Sequence, residues 1–151
     1  MRPKSLLTWY WLLAGTIAAI AVGWLAAQIN LSPRAPLGLT SLAIGSLLGA
    51  ALAYLAATLR VAGRSTLLLG TIFLAIVLIA TEHAWLYRDF RGQWREAREK
   101  SAAVAMFRDE NPPSPQVYFS REFNGPLWTF DALAIVGAAA TVVFVWQRNR
   151  Q

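Results

Sequence analysis

Leu37-Gly-Leu-Thr-Ser-Leu-Ala-Ile-Gly-Ser-Leu-Leu-Gly-Ala-Ala-Leu-Ala-Tyr-Leu-Ala-Ala-Thr-Leu59 carries no charged side chain. At about 1.5 Å of rise per residue, a helix of this length crosses the ~30 Å hydrocarbon core of a bilayer. Small residues recur at every fourth position, Ser41, Gly45, Gly49, Ala53 and Ala57, and so lie roughly along one face. Lipid gives little hydrophobic drive for helices to associate, so a small-residue face marks where another backbone comes close.

Upstream, Asn30 to Pro36 contains two prolines and reverses the chain. Before it, Leu6 to Ala27 is again uncharged and follows Arg2 and Lys4. A secretory signal would have an apolar core of only ~7–15 residues and a clean small-x-small cleavage site, which Trp24-Leu-Ala-Ala-Gln28 does not supply. The run is therefore read as a retained span. Its own ladder is Gly15, Ala19, Gly23 and Ala27. A short connection makes the first two spans antiparallel neighbours, and their two ladders are expected to meet; self-association through the same face is the competing expectation.

Downstream, Arg60-Val-Ala-Gly-Arg64 leads into a third run from Thr66 to about Ala80, after which Glu82 and His83 mark the return to the interface. This run is bulkier, with Leu67, Leu68, Leu69, Phe73, Ile76 and Leu78, and is expected to present much of its surface to lipid or a partner. The fourth, Leu127 to Trp146, follows the turn Asn124-Gly-Pro126, closes with Gln147-Arg-Asn-Arg150 and has a shorter small set, Ala134, Gly137 and Ala138. The expectation is an all-α membrane protein: a four-transmembrane-helix bundle forming a single membrane domain over 1–151. Its spans fall at about 6–27, 37–59, 66–86 and 127–146, with an amphipathic juxtamembrane helix between the third and fourth.

Composition agrees, since 56% of residues are hydrophobic and only 15% charged. The net charge of +6 is carried beside apolar runs and forms no long basic tract, which favours membrane anchoring over nucleic-acid binding. Without any cysteine, disulfides, thiolate metal sites and the chemistry of four-helix membrane thiol oxidoreductases are excluded. No cofactor is expected.

Tryptophan and tyrosine favour the membrane boundary. With alternating helix directions, one boundary collects Trp9, Tyr10, Trp11, Tyr54 and Trp146, and the other Trp24, Trp85, Tyr87 and Trp128. Both termini fall on one side. Together with the Arg60 to Arg64 turn they hold six Lys/Arg, against one in the Asn30 to Pro36 turn and seven in the long third loop. That local density places both termini in the cytoplasm, in an inner or plasma membrane of bacterial type.

From Tyr87 to Asp109 the residues are mostly good helix formers, Gly92 excepted. Tyr87, Phe90, Trp94, Ala97, Ser101 and Val104 recur at three- and four-residue spacing as one stripe. Such a helix either continues out of the third span or bends at Gly92 and lies on the bilayer. Asn111-Pro-Pro-Ser-Pro115 ends it, and Val117-Tyr-Phe119 reads as a short extended apolar patch. The 87–125 segment, with Tyr87, Phe90, Trp94, Val104, Tyr118 and Phe119, is the expected surface for a protein partner.

Ionisable residues near hydrocarbon are Glu82, His83 and Asp131, all expected at one depth. They are candidates for a boundary polar site able to relay a proton or act as a base, or for a structural group. Adjacent on a helix, Glu82 and His83 point about 100° apart, and a lone histidine is a poor basis for metal. No charge sits in the middle of a span, which argues against a proton-coupled exporter. The preferred reading is a non-enzymatic subunit or assembly partner of a larger membrane complex; the alternative is a small transporter, channel or membrane enzyme using the boundary residues.

Overall fold

The computed structural model describes residues 4–30, 37–61, 63–101, 106, 111–122 and 126–148. Its helices are α1 (Lys4–Asn30), α2 (Leu37–Thr58), α3 (Arg64–Lys100), α4 (Pro115–Glu122) and α5 (Pro126–Arg148). No strand occurs among the described residues. Helices α1, α2, α3 and α5 are each long and apolar enough to cross a membrane.

The connection between α2 and α3 shows how the local sequence turns the chain. Arg60 has φ 54°, and its N–H donates to Ala57 O while that of Val61 donates to Ala56 O at 2.9 Å. This paired pattern satisfies two of the carbonyls that a helix end leaves open, with an arginine at the left-handed position glycine normally occupies. Val61 then buries its side chain against the bundle.

Helix α3 is one continuous element of 37 residues, roughly 55 Å long and so well beyond the thickness of a hydrocarbon core. It ends earlier than the helix expected over 87–109, because Ser101 is extended at φ −143°, ψ 114°. The second difference is Val117-Tyr-Phe119, expected as extended but lying within α4. Ser114 precedes Pro115 and caps this helix, its Oγ accepting from Val117 N–H at 3.4 Å. Proline as the first helical residue needs no partner for its missing N–H and has the right φ. The proline run therefore ends one helix and starts another.

The two small-residue ladders do not meet, contrary to expectation. On α1, Gly15 sits against Leu74 of α3 and Leu52 of α2, and Gly23 against the backbone of Leu78 and the side chain of Thr81 on α3. On α2, Gly45 and Gly49 sit against the backbones of Ala134 and Ala138 of α5. Both registers rise together, so α1 runs parallel to α3, and α2 parallel to α5. The closest approaches thus join alternate helices of the chain, while the sequential pair α1 and α2 packs less extensively.

Physically, a glycine notch is best filled by something that projects or by a backbone that can approach. Helix α3 supplies Leu74 and Leu78, both fully buried, to the α1 notches. Helix α5 supplies Ala134, Gly137 and Ala138, and Gly137 in turn lies against Leu42 O and Ser46 of α2. Ala19, Ala27 and Ala53 are buried along the same ladders, whereas Ala57 is exposed.

Trp11, one of the residues expected at a boundary, is turned into the bundle: it is fully buried, its ring against Gly70 of α3 and its indole N–H donating to Leu52 O at 3.0 Å. Trp9 and Tyr10 beside it are exposed. The remaining outward surface is apolar, with Leu13 and Ile17 on α1, Leu47 on α2, Leu69, Phe73 and Ile76 on α3, and Val136 and Phe144 on α5. Helix α3 is consequently two-faced: Leu67, Thr71, Leu74, Ala75 and Leu78 are buried while its bulkiest outward residues face away from the bundle.

Candidate functional site

Two places outside the packed middle of the bundle collect side chains with chemistry. The first is where α3 passes the start of α5. His83 Nε2 lies 3.6 Å from Asp131 Oδ1, with side chains 21% and 18% exposed. This exceeds hydrogen-bond length and becomes an ion pair only when the imidazole is protonated. Asp131 lies in the second turn of α5, about one turn before Ala134.

Glu82 is half-buried on the neighbouring face of α3. Among the described residues, no three His, Asp or Glu side chains converge as metal ligands would. The arrangement brings one imidazole and one carboxylate together across the α3–α5 contact. One turn earlier, Gly23 admits the α3 backbone at Leu78, and Thr81 Oγ1 donates to Val77 O at 2.8 Å.

The second place is the aromatic stripe beyond the apolar part of α3. Its rings do not stand open, because α4 folds back onto them. Tyr118 of α4 lies 5.5 Å from Tyr87 and 4.6 Å from Phe90, centroid to centroid, and Phe90 lies 5.7 Å from Trp94. The Tyr87 hydroxyl donates to Pro113 O at 2.9 Å, tying down the segment that enters α4. Tilted ring pairs at these separations add about 0.5–1.5 kcal/mol each beyond area burial.

Cationic side chains flank the stripe. The Arg88 guanidinium lies 4.6 Å from the Trp85 ring centre and that of Arg91 5.9 Å from the Tyr87 ring centre. Farther out, Lys100 pairs with Glu96 one turn away, and its hydrogen bond and charge hold the Glu96 carboxyl below its usual range. Val104 and the side chains of Phe119, Arg121 and Trp128 lie outside the described residues.

His83 and Asp131, two of the three expected boundary residues, lie close together, whereas the buried contact of Trp11 with Leu52 and Gly70 was not anticipated. A signal was present. Trp11 stands four residues before Gly15 and so extends the ladder 15, 19, 23, 27 by one more step on the same face.

The chain is thus an all-α protein with four helices suited to cross a bilayer, an architecture that fits a small integral membrane protein. Compared with family models, with curated proteins and with solved structures, it matches none.

Proposed function

We propose that this protein is a non-enzymatic membrane subunit or assembly partner, with its bundle as anchor and its 87–125 segment as the contact for another protein. The observation that carries this reading is the bracing of α3 by α4 through Tyr87, Phe90 and Tyr118. A helix that runs past the apolar span and is held by a second helix presents a defined surface and not a loose loop. On that surface Trp94 of α3 is half-buried, and Val117 of α4 is exposed. Exposed apolar residues on a braced element are what a protein contact uses.

Both termini belong to the cytoplasmic side on this reading. The termini and the α2–α3 turn hold six Lys/Arg and no Asp/Glu, whereas all eight acidic residues of the chain fall between Glu82 and Asp131. Native gel migration of the protein extracted in mild detergent tests the proposal. The subunit reading expects a complex larger than the chain, lost when 87–125 is scrambled. A uniform small species, unchanged by that scrambling, refutes it.

The His83–Asp131 approach favours a second reading, a small transporter, channel or membrane enzyme with Glu82, His83 and Asp131 at its boundary site. His83→Ala and Asp131→Asn separate the two. Loss of a growth or flux phenotype with normal accumulation supports the boundary site, and an unchanged phenotype rejects it.

A further inference from the structure

Between the first two turns of α3 and the last two of α5 runs a shallow surface groove, lined by Arg64, Leu67, Leu68, Val142, Val143 and Trp146. Leu67 and Val142 are buried and form its floor, while Leu68 and Val143 are half-buried and form its walls. Arg64 is exposed at the start of α3, one turn before Leu67 and Leu68, and Trp146 stands one turn after Val142 and Val143. Polarity therefore changes along the groove, from aliphatic within the span to an arginine and an indole at its end.

That gradient matches an amphiphile lying alongside the helices with its tail inward and its head at Arg64. The charge around the head position is one-signed. Arg60 and Arg148 lie at the same end of the bundle, and in sequence Arg2 precedes α1, Lys4 begins it and Arg150 follows α5; no Asp or Glu occurs in these segments. A soluble anion would leave the aliphatic floor and walls unused. A shallow groove within a lipid-facing surface gives a folded peptide nothing to enclose it.

We infer that this groove is a binding site for an anionic phospholipid, with one acyl chain against Leu67, Leu68, Val142 and Val143 and the headgroup phosphate on Arg64. The inference rests on membrane insertion and not on the subunit reading. Arginine suits the role because its planar guanidinium can grip a phosphate with two hydrogen bonds, and its stem can lie along the apolar wall. A site of this kind adds to the diffuse attraction of the basic end for an anionic leaflet.

Native mass spectrometry of the full chain in detergent, titrated with phosphatidylglycerol or phosphatidylcholine of identical acyl chains, tests the site. The expected result is one phosphatidylglycerol retained in preference to phosphatidylcholine. Arg64→Gln lowers that preference about fivefold, the usual contribution of one juxtamembrane cation. Val143→Trp fills the groove and abolishes the adduct. Arg88→Gln, at the opposite end of the bundle, leaves the preference unchanged. Arg64 is an exposed residue in the first turn of α3, so its variant keeps the fold and the test stands even if Val143→Trp does not accumulate. Equal retention of the two lipids overturns the inference, as does an Arg88→Gln loss equal to that of Arg64→Gln. Displacement of the lipid by glycerophosphate alone, which has no tail, overturns it too.

Discussion

Replacing Gly45 by alanine puts a methyl group into the tightest seam of the bundle. A Cβ built at Gly45 lies 2.7 Å from both the carbonyl carbon and the Cα of Ala134, and closer still to the carbonyl oxygen. Ordinary contact begins at 3.4 Å, so α2 and α5 must separate by at least about 0.7 Å there. The obstacle is backbone, and no rotamer change relieves it. A gap of ~0.5–1 Å forfeits roughly a quarter to a half of each dispersion contact along the seam. Overpacking of this kind costs about 1–3 kcal/mol, and Gly45→Ala belongs at the upper end.

Two comparisons make the reasoning sharp. Gly15→Ala meets only the ends of Leu74 and Leu52, at 2.6 and 2.9 Å, side chains that can shift, so its cost falls below that of Gly45→Ala. Gly92→Ala meets nothing within 4 Å and stands inside α3, so it stabilises by about 1 kcal/mol through helix propensity. Reversible unfolding in mixed detergent micelles, followed by tryptophan fluorescence, ranks the three. Ala134→Gly should not rescue Gly45→Ala, because the clash is with the Ala134 main chain and not its methyl. If Gly45→Ala proves as stable as Gly92→Ala, the close α2–α5 contact is wrong.

Four further outcomes follow from the same geometry. Trp11→Phe keeps most of the ring on Gly70 but deletes the N–H donated to Leu52 O; a loss of about 1 kcal/mol in the same unfolding assay is expected, and Trp11→Ala should cost about 3–5 kcal/mol. Thr71 is fully buried with a hydroxyl that has no hydrogen-bond partner among the described residues, so Thr71→Val should leave stability equal or raised, and a clear loss would point to a polar contact at that site. Arg60→Gly relieves a left-handed arginine and should stabilise by about 1 kcal/mol, while lowering the positive charge at that end, which a topology reporter fused to the C-terminus can register. Tyr87→Phe removes the tie to Pro113 O and should speed amide hydrogen exchange over 114–122 without changing exchange in α2; unchanged exchange in α4 would show that the rings alone hold it.

How much was legible can be traced residue by residue. Uncharged length is a local property, and four helices long and apolar enough to cross a membrane could be expected without knowing any neighbour. The end of α3 was overrun because its good helix formers continue past Lys100, whereas the chain turns extended at Ser101. Helix α4 was missed because Pro115 was read only as a breaker, although Ser114-Pro115 is also a helix start. The aromatic stripe was legible as a stripe. Its occupant was not, since nothing in the spacing of Tyr87, Phe90 and Trp94 announces that Tyr118, many residues later, will lie on them.

The sequence by itself determined the class of fold, because hydropathy and charge are sums over neighbours in the chain and a bilayer responds to those sums directly. It also determined which helix faces would be narrow enough for a close approach, through Gly15, Gly23, Gly45 and Gly49. Only the tertiary structure decided what fills those faces. A missing side chain specifies a space and not its occupant, and the partner that fits best depends on the shapes of all the helices at once. Short loops favoured α1 against α2; complementary relief, Leu74 and Leu78 of α3 for α1 and the Ala134 and Ala138 backbone of α5 for α2, set the closest pairings instead.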